Sequence, residues 1–208
     1  MNLKRILYID GSNLFGGMSD LLRVGEYIDY ADLIQVIEHE CGALDSIKFY
    51  GTYRQELASD NADRQHSIVA QRLFFSSASN HVATTFVKGY FSSNGKEKGI
   101  DMKMGVDIVH DAHLNSYDEA LVMSGDDDFI YAILTARKIG KPVRLVAISS
   151  RYPFGAAHYV VTRTVLDIDG HFVDNVLPDM RGKQAAIQAI ELRGAVTIHR
   201  AKRKTRRS

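Results

Sequence analysis

The stretch "EALVMSGDDDFIYAILTARKIGKPVRLVAI", Glu119 to Ile148, decides the fold. It begins with a short apolar run, "EALVMS" (119–124), and ends with another, "PVRLVAI" (142–148), each bounded by polar or turn residues as a strand would be. Between them Phe129, Ile130, Ile133 and Leu134 fall on one stripe at helical spacing, and Gly140 before Lys141-Pro142 stops the helix. Three consecutive carboxylates, Asp126, Asp127 and Asp128, sit where the strand gives way to the helix.

The same alternation runs through the rest of the chain. "RILYI" (5–9), "SIKFYGTY" (46–53) and "HVATTFVKGYF" (81–91) read as strands. "YADLIQVIEHE" (30–40), residues 62–76 and "GIDMKMGVDIVHDAHL" (99–114) read as helices, joined by 128–140. The order β-α-β-α-β-α-β-α-β predicts an α/β fold with a mostly parallel sheet and helices on both faces. In 151–180, "HYVVTRTVLDI" reads as a further strand, and "AAIQAIELR" (185–193) as a short helix. One domain over 1–180 is expected, followed at 181–208 by that helix and a basic tail.

Composition narrows the setting. A chain of 208 residues that is 45% hydrophobic can bury one substantial core. The formal charge is +1, which excludes a uniformly basic coat. Six basic residues (Arg200, Lys202, Arg203, Lys204, Arg206, Arg207) crowd the last nine positions and leave the remainder at −5. A run of like charge has no core to join, so the tail after 194 is expected to be disordered. The single cysteine, Cys41, excludes an internal disulfide and thiolate zinc sites. With no signal-peptide pattern and no run approaching the ~20 apolar residues of a membrane span, a cytoplasmic protein without a membrane partner is the expectation.

Open parallel sheets hold ligands beyond the carboxyl ends of their strands. Asp10 follows the first strand in "YIDGSN", and Asp126 to Asp128 follow the fourth. Asp101 begins a helix in "KEKGID", so distant acids meet at one edge. Singly, each has an ordinary reading, because an acid at a helix start caps it or meets its dipole for roughly 0.3–1 kcal/mol. Together they repel, and raised pKa values or a neutralising cation follow. Oxygen ligands of this kind suit Mg²⁺ or Mn²⁺, which polarise phosphoryl oxygens and acidify bound water.

Asp126 and Asp128 are the expected metal pair, with Asp127 left to cap or face solvent. Asn13 could orient a metal-bound water or a phosphate, or simply make a turn. Lys98 could meet a phosphate, or be a solvated loop lysine. Asp107, six positions after Asp101, lies about 120° round the helix and is a supporting candidate. His110 and His113 read as a partly exposed pair. Tyr50 and Tyr53, with Arg54, could stack on bases or belong to the core.

"YIDGSNLF", "KGIDMKMGVDIVHDA" and "YDEALVMSGDDDFIYAILTARKIGKPVRLVAI" together resemble the NYN domain, a PIN-like nuclease domain, in its bacterial LabA-like form. The resemblance spans residue 4 to about 148. It implies a PIN-like three-layer α/β/α fold and a metal-dependent nuclease acting mainly on RNA, single-stranded or structured. Its motifs fall on Asp10, Asn13, Asp101, Asp126 and Asp128, with an acid also usual at Asp107. It further implies products with 5′-phosphate and 3′-hydroxyl ends. The expected enzyme is an endoribonuclease using Mg²⁺ or Mn²⁺ held by Asp10, Asp101, Asp126 and Asp128; a homodimer is compatible with the chain. Two alternatives stand beside it. One is a toprim-like phosphoryl-transfer enzyme, and the other a non-catalytic RNA-binding or regulatory protein on the same fold.

Overall fold

The structure, a computed structural model, describes residues 3–57, 59–93, 97–148, 187–190 and 196–202. Its centre is a six-stranded sheet whose every pairing is parallel. In spatial order the strands are β4 (Thr84–Lys88), β3 (Ser46–Gly51), β1 (Arg5–Asp10), β7 (Glu119–Met123), β8 (Val143–Ile148) and β9 (Ile187–Ile190). The chain builds outward from β1 through β3 to β4, then returns to the other side of β1 with β7. The order therefore reverses between β1 and β7, at the kind of crevice where open α/β sheets bind ligands.

Strand alternation sorts the side chains into two layers of core. Leu7, Ile9, Phe49, Leu121 and Met123 face one side, where they meet helices α1 (Gly11–Leu21), α2 (Tyr30–Cys41) and α3 (Ala62–Asn80). Ile6, Tyr8, Tyr50, Ala120 and Val122 face the other, beneath α4 (Ile100–His113) and α5 (Ile130–Lys138). The result is the expected three-layer α/β/α arrangement. Phe49 is fully buried, touching Tyr30, Phe74, Phe75 and Phe86 edge-on or stacked, and burying such a ring is worth roughly 1.5–3 kcal/mol.

The elements differ from expectation at five places. Helix α1 and the short strand β2 (Glu26–Ile28) did not show in the sequence pattern. Three glycines (Gly11, Gly16, Gly17) weaken the helical signal of α1, but the Asp10 carboxylate caps it by accepting from the Asn13 N–H at 3.0 Å. The run 81–91 divides into β4 and β5 (Tyr90–Phe91), and β5 forms an antiparallel hairpin with β6 (Glu97–Lys98).

The expected helix at 185–193 is instead strand β9 over Ile187–Ile190, in register with Leu145–Ile148. The exposed edge of β8 offers a ladder that outweighs helical propensity. The tail expected to be disordered from 194 contains β10 (Ile198–Arg200), antiparallel to β2. The expectation for "HYVVTRTVLDI" lies outside the described residues. No helix among the described residues is long and apolar enough to cross a membrane.

Candidate active site

Asp10 ends β1 at the switch point and is only 4% exposed. The next residue is Gly11, where any Cβ would strike the Phe49 ring and the Tyr50 carbonyl, so the chain can turn tightly into α1. Both carboxylate oxygens of Asp10 are engaged. Oδ1 accepts from the Asn13 N–H, and Oδ2 accepts from the Ser124 hydroxyl at 3.0 Å. Burial pushes the Asp10 carboxyl up to about 6; its two hydrogen bonds oppose the rise, while Asp101 and Asp126 add to it.

From the adjacent strand, β7 ends at Met123, so Asp126 lies in the loop beyond it and not at the strand's last position. The loop is held internally. Ser124 Oγ accepts from the Asp126 N–H at 3.1 Å, and Asp126 Oδ1 accepts from the Asp128 N–H at 3.1 Å, opening a 3₁₀ turn (Asp127–Phe129) before α5. Asp126 is half-buried and Asp128 exposed. The expectation for the Asp127 side chain lies outside the described residues.

Asn13 belongs to the first turn of α1, and its side-chain oxygen accepts from the Gly125 N–H at 2.9 Å. That oxygen braces β1's exit against β7's, so the side-chain NH₂ is the end left to meet another group. Asp101 is exposed on the first turn of α4. Its carboxyl is raised by burial first, then by Asp126, Asp128 and Glu97, with Lys98 pulling it down. Four expected acids thus feel one another's fields.

A fifth acid was not foreseen. Glu97, in β6, accepts from the Ser12 hydroxyl at 2.6 Å, and its other oxygen is buried with no hydrogen-bond partner among the described residues. Within "GKEKG" a lone acid reads as a solvated charge, so the sequence carries little signal for it. Ser124 was likewise overlooked, although it connects Asp10 to Asp126.

Asp107 points at the sheet. It accepts from the Tyr50 hydroxyl at 2.6 Å and lies 3.6 Å from Lys48 Nζ, which also reaches Asp111 at 2.6 Å. Tyr50 pairs in register with Asp10, so Asp107 supports the floor next to the site. Of the tyrosines expected to meet bases, Tyr50 is fully buried, with its hydroxyl spent on Asp107. Tyr53 stacks on Phe86 at 5.4 Å and packs against the core, so neither is a free platform. His110 and His113 are both exposed in the last turn of α4.

The residues suit a hard divalent cation in kind, because every candidate donor is a carboxylate oxygen and Glu97 has one unpartnered. Their placement is looser. Among the described residues no three His, Cys, Asp or Glu side chains are drawn together tightly enough to form a ready ligand set. The acids share one electrostatic neighbourhood without being in contact.

The NYN domain family matches residues 4–163, well over half of the chain. The chain belongs to the NYN domain family. That family suggests a PIN-like nuclease group, in keeping with the parallel sheet. Among solved structures the NYN chain is similar to a protein of unknown function from Vibrio parahaemolyticus, with 17% identity and a TM-score of 0.46. The match covers 70% of this chain and 82% of that one. No curated protein matches it.

Proposed function

We propose that this NYN domain is a divalent-metal-dependent ribonuclease that hydrolyses RNA phosphodiester bonds. The observation that carries the reading is the convergence of Asp10, Glu97, Asp101, Asp126 and Asp128 at the β1/β7 switch point, with the Asp10 carboxyl pushed up to about 6. A site that faced only phosphate would gain nothing from such repulsion, whereas a cation relieves it. Asp10, Asp101, Asp126 and Asp128 would hold Mg²⁺ or Mn²⁺, directly or through water. When bound, such an ion supplies positive charge against the phosphoryl oxygens and acidity to a coordinated water.

The chain's own residues would do the rest. Asn13 and Ser124 fix the relative positions of the two acid-bearing loops, and the Asn13 amide could donate to a phosphate oxygen. Lys98, exposed in β6 next to the acids, would meet the RNA backbone as a point charge. A protein whose only role was regulatory RNA binding would do without this acidic set.

The test incubates purified protein with end-labelled single-stranded RNA, structured RNA and single-stranded DNA in Mg²⁺, Mn²⁺ or EDTA. RNA cleavage that needs metal and disappears in Asp10→Asn and Asp126→Asn is the expected result. Folded protein that binds RNA but never cuts it with either metal would put the regulatory reading in its place.

A further inference from the structure

We propose that the β5–β6 hairpin is a docking shelf for single-stranded RNA, on which Tyr90 stacks an unpaired base while Lys88, Lys98 and Lys103 meet the flanking phosphates; the proposal rests on the ribonuclease reading and extends it to the form of the substrate. Tyr8, Tyr30, Tyr50 and Tyr117 are all at most 1% exposed, whereas Tyr90 is 61% exposed. Its ring is backed by Gly99, where a Cβ would lie 3.1 Å from the ring edge and where φ is +81°. Gly99 is also the residue from which α4 starts, two positions before Asp101. The open ring therefore lies beside the acidic cluster.

Three lysines flank the hairpin, and Lys88 Nζ lies 5.9 Å over the Tyr53 ring. Lys98 is Tyr90's partner across the hairpin, and Lys103 donates to the Lys88 carbonyl at 2.6 Å, bringing that lysine of α4 to the end of β4. All three side chains are exposed, and among the described residues none forms an ion pair with a carboxylate. Exposed ammonium groups and an open aromatic face on one hairpin are the two components of single-strand binding, a charged track for phosphates and a π-surface tolerant of any base. A base locked in a duplex cannot offer its face, so the shelf selects unpaired strands.

The shelf is also fixed relative to the chemistry. Glu97 lies opposite Phe91, and its bond to the Ser12 hydroxyl ties the hairpin to the second residue after Asp10. A strand seated on Tyr90 is thereby registered against the acids.

The chain contains no tryptophan, so Tyr90→Trp installs a single indole at that position, to be excited selectively over the tyrosines. With EDTA present to prevent turnover, oligoadenylate should quench it saturably, and blunt duplex RNA should not. Tyr90→Ala should weaken binding of labelled single-stranded RNA by roughly tenfold or more, Tyr90→Phe should restore it, and duplex binding should not change. Lys98→Gln and Lys103→Gln should each flatten the salt dependence by about one phosphate contact. If Tyr90→Ala binds single-stranded RNA as tightly as the parent chain, the shelf is overturned, whether or not cleavage persists. If binding depends on Tyr90 but RNA is never cut, the shelf stands and the hydrolytic reading falls.

Discussion

The Ser124 hydroxyl donates to Asp10 at 3.0 Å while its oxygen accepts from the Asp126 N–H at 3.1 Å, so one small side chain joins the end of β1 to the loop that follows β7. Ser124 is 6% exposed, and its bond holds the Asp10 carboxyl below the value that burial alone would impose. Ser124→Ala should push that carboxyl higher. The acid limb of the cleavage pH profile should then move toward neutrality, with activity at pH 7 down about tenfold, the loss expected from one hydrogen bond to a charged group. A profile that merely scales down without shifting would show that Ser124 acts on the loop alone.

Asp10 itself makes stability and cation binding respond to pH in opposite ways. Its folded value is about 6 against an ordinary 3.8, so between those values the native state binds more protons than the unfolded chain. Stability without metal should fall as pH rises through that window and then level off. Asp10→Asn removes the penalty while keeping a residue able to cap α1. It should gain roughly 1–3 kcal/mol in urea unfolding at pH 7 and nothing below about pH 4. Mn²⁺ affinity of the parent chain should weaken as pH drops through about 6, when the carboxyl takes up its proton.

Asp29 caps α2 through the Ala31 and Asp32 N–H groups, and its other oxygen meets His199 of β10 at 2.9 Å. The His199 contact, above all, holds the carboxyl below the usual range. A depressed carboxyl contributes stability above its ordinary pKa and loses it as pH falls through the folded value. Asp29→Ala should cost about 1 kcal/mol as a lost cap. Hydrogen exchange at Ile198–Arg200 should quicken in that variant at neutral pH, and in the parent chain under acid.

Asp107 is paired with Tyr50 and Lys48, away from the other acids' open edge. Asp107→Ala should leave a buried tyrosine hydroxyl unsatisfied, at a cost of about 1–3 kcal/mol by chemical denaturation. Cleavage should fall far less than in Asp10→Asn, and Tyr50→Phe combined with it should cost less than the two changes summed. Equal loss of cleavage in Asp107→Ala and Asp10→Asn would place Asp107 among the acids that hold the cation.

Hydrophobic spacing was enough to foresee β1, β7, α5 and β8, because each buries a face whose period is written in the residues. That Asp10, Asp101, Asp126 and Asp128 would come near one edge could be read as well, since the end of a parallel strand is a place that topology alone designates. The contacts that organise them could not. Ser124 and Glu97 matter through hydrogen bonds to Asp10 and Ser12, residues 114 and 85 positions away, and no local pattern reports such pairs. Helical spacing misled at Ile187–Ile190 and the run of like charge at Ile198–Arg200, where the edges of β8 and β2 supply the ladder. Among the tyrosines only burial separates Tyr90 from Tyr50, and burial belongs to the assembled sheet.

The Ser12–Glu97 bond couples two positions that lie 85 residues apart in the chain. A change at either one removes the side-chain bond between the hairpin and the start of α1, so on the proposed reading the seat for a strand and its alignment with the acids would loosen together. On that reading binding and turnover would change together at this contact, and related chains that alter position 12 should be found to have altered position 97 as well.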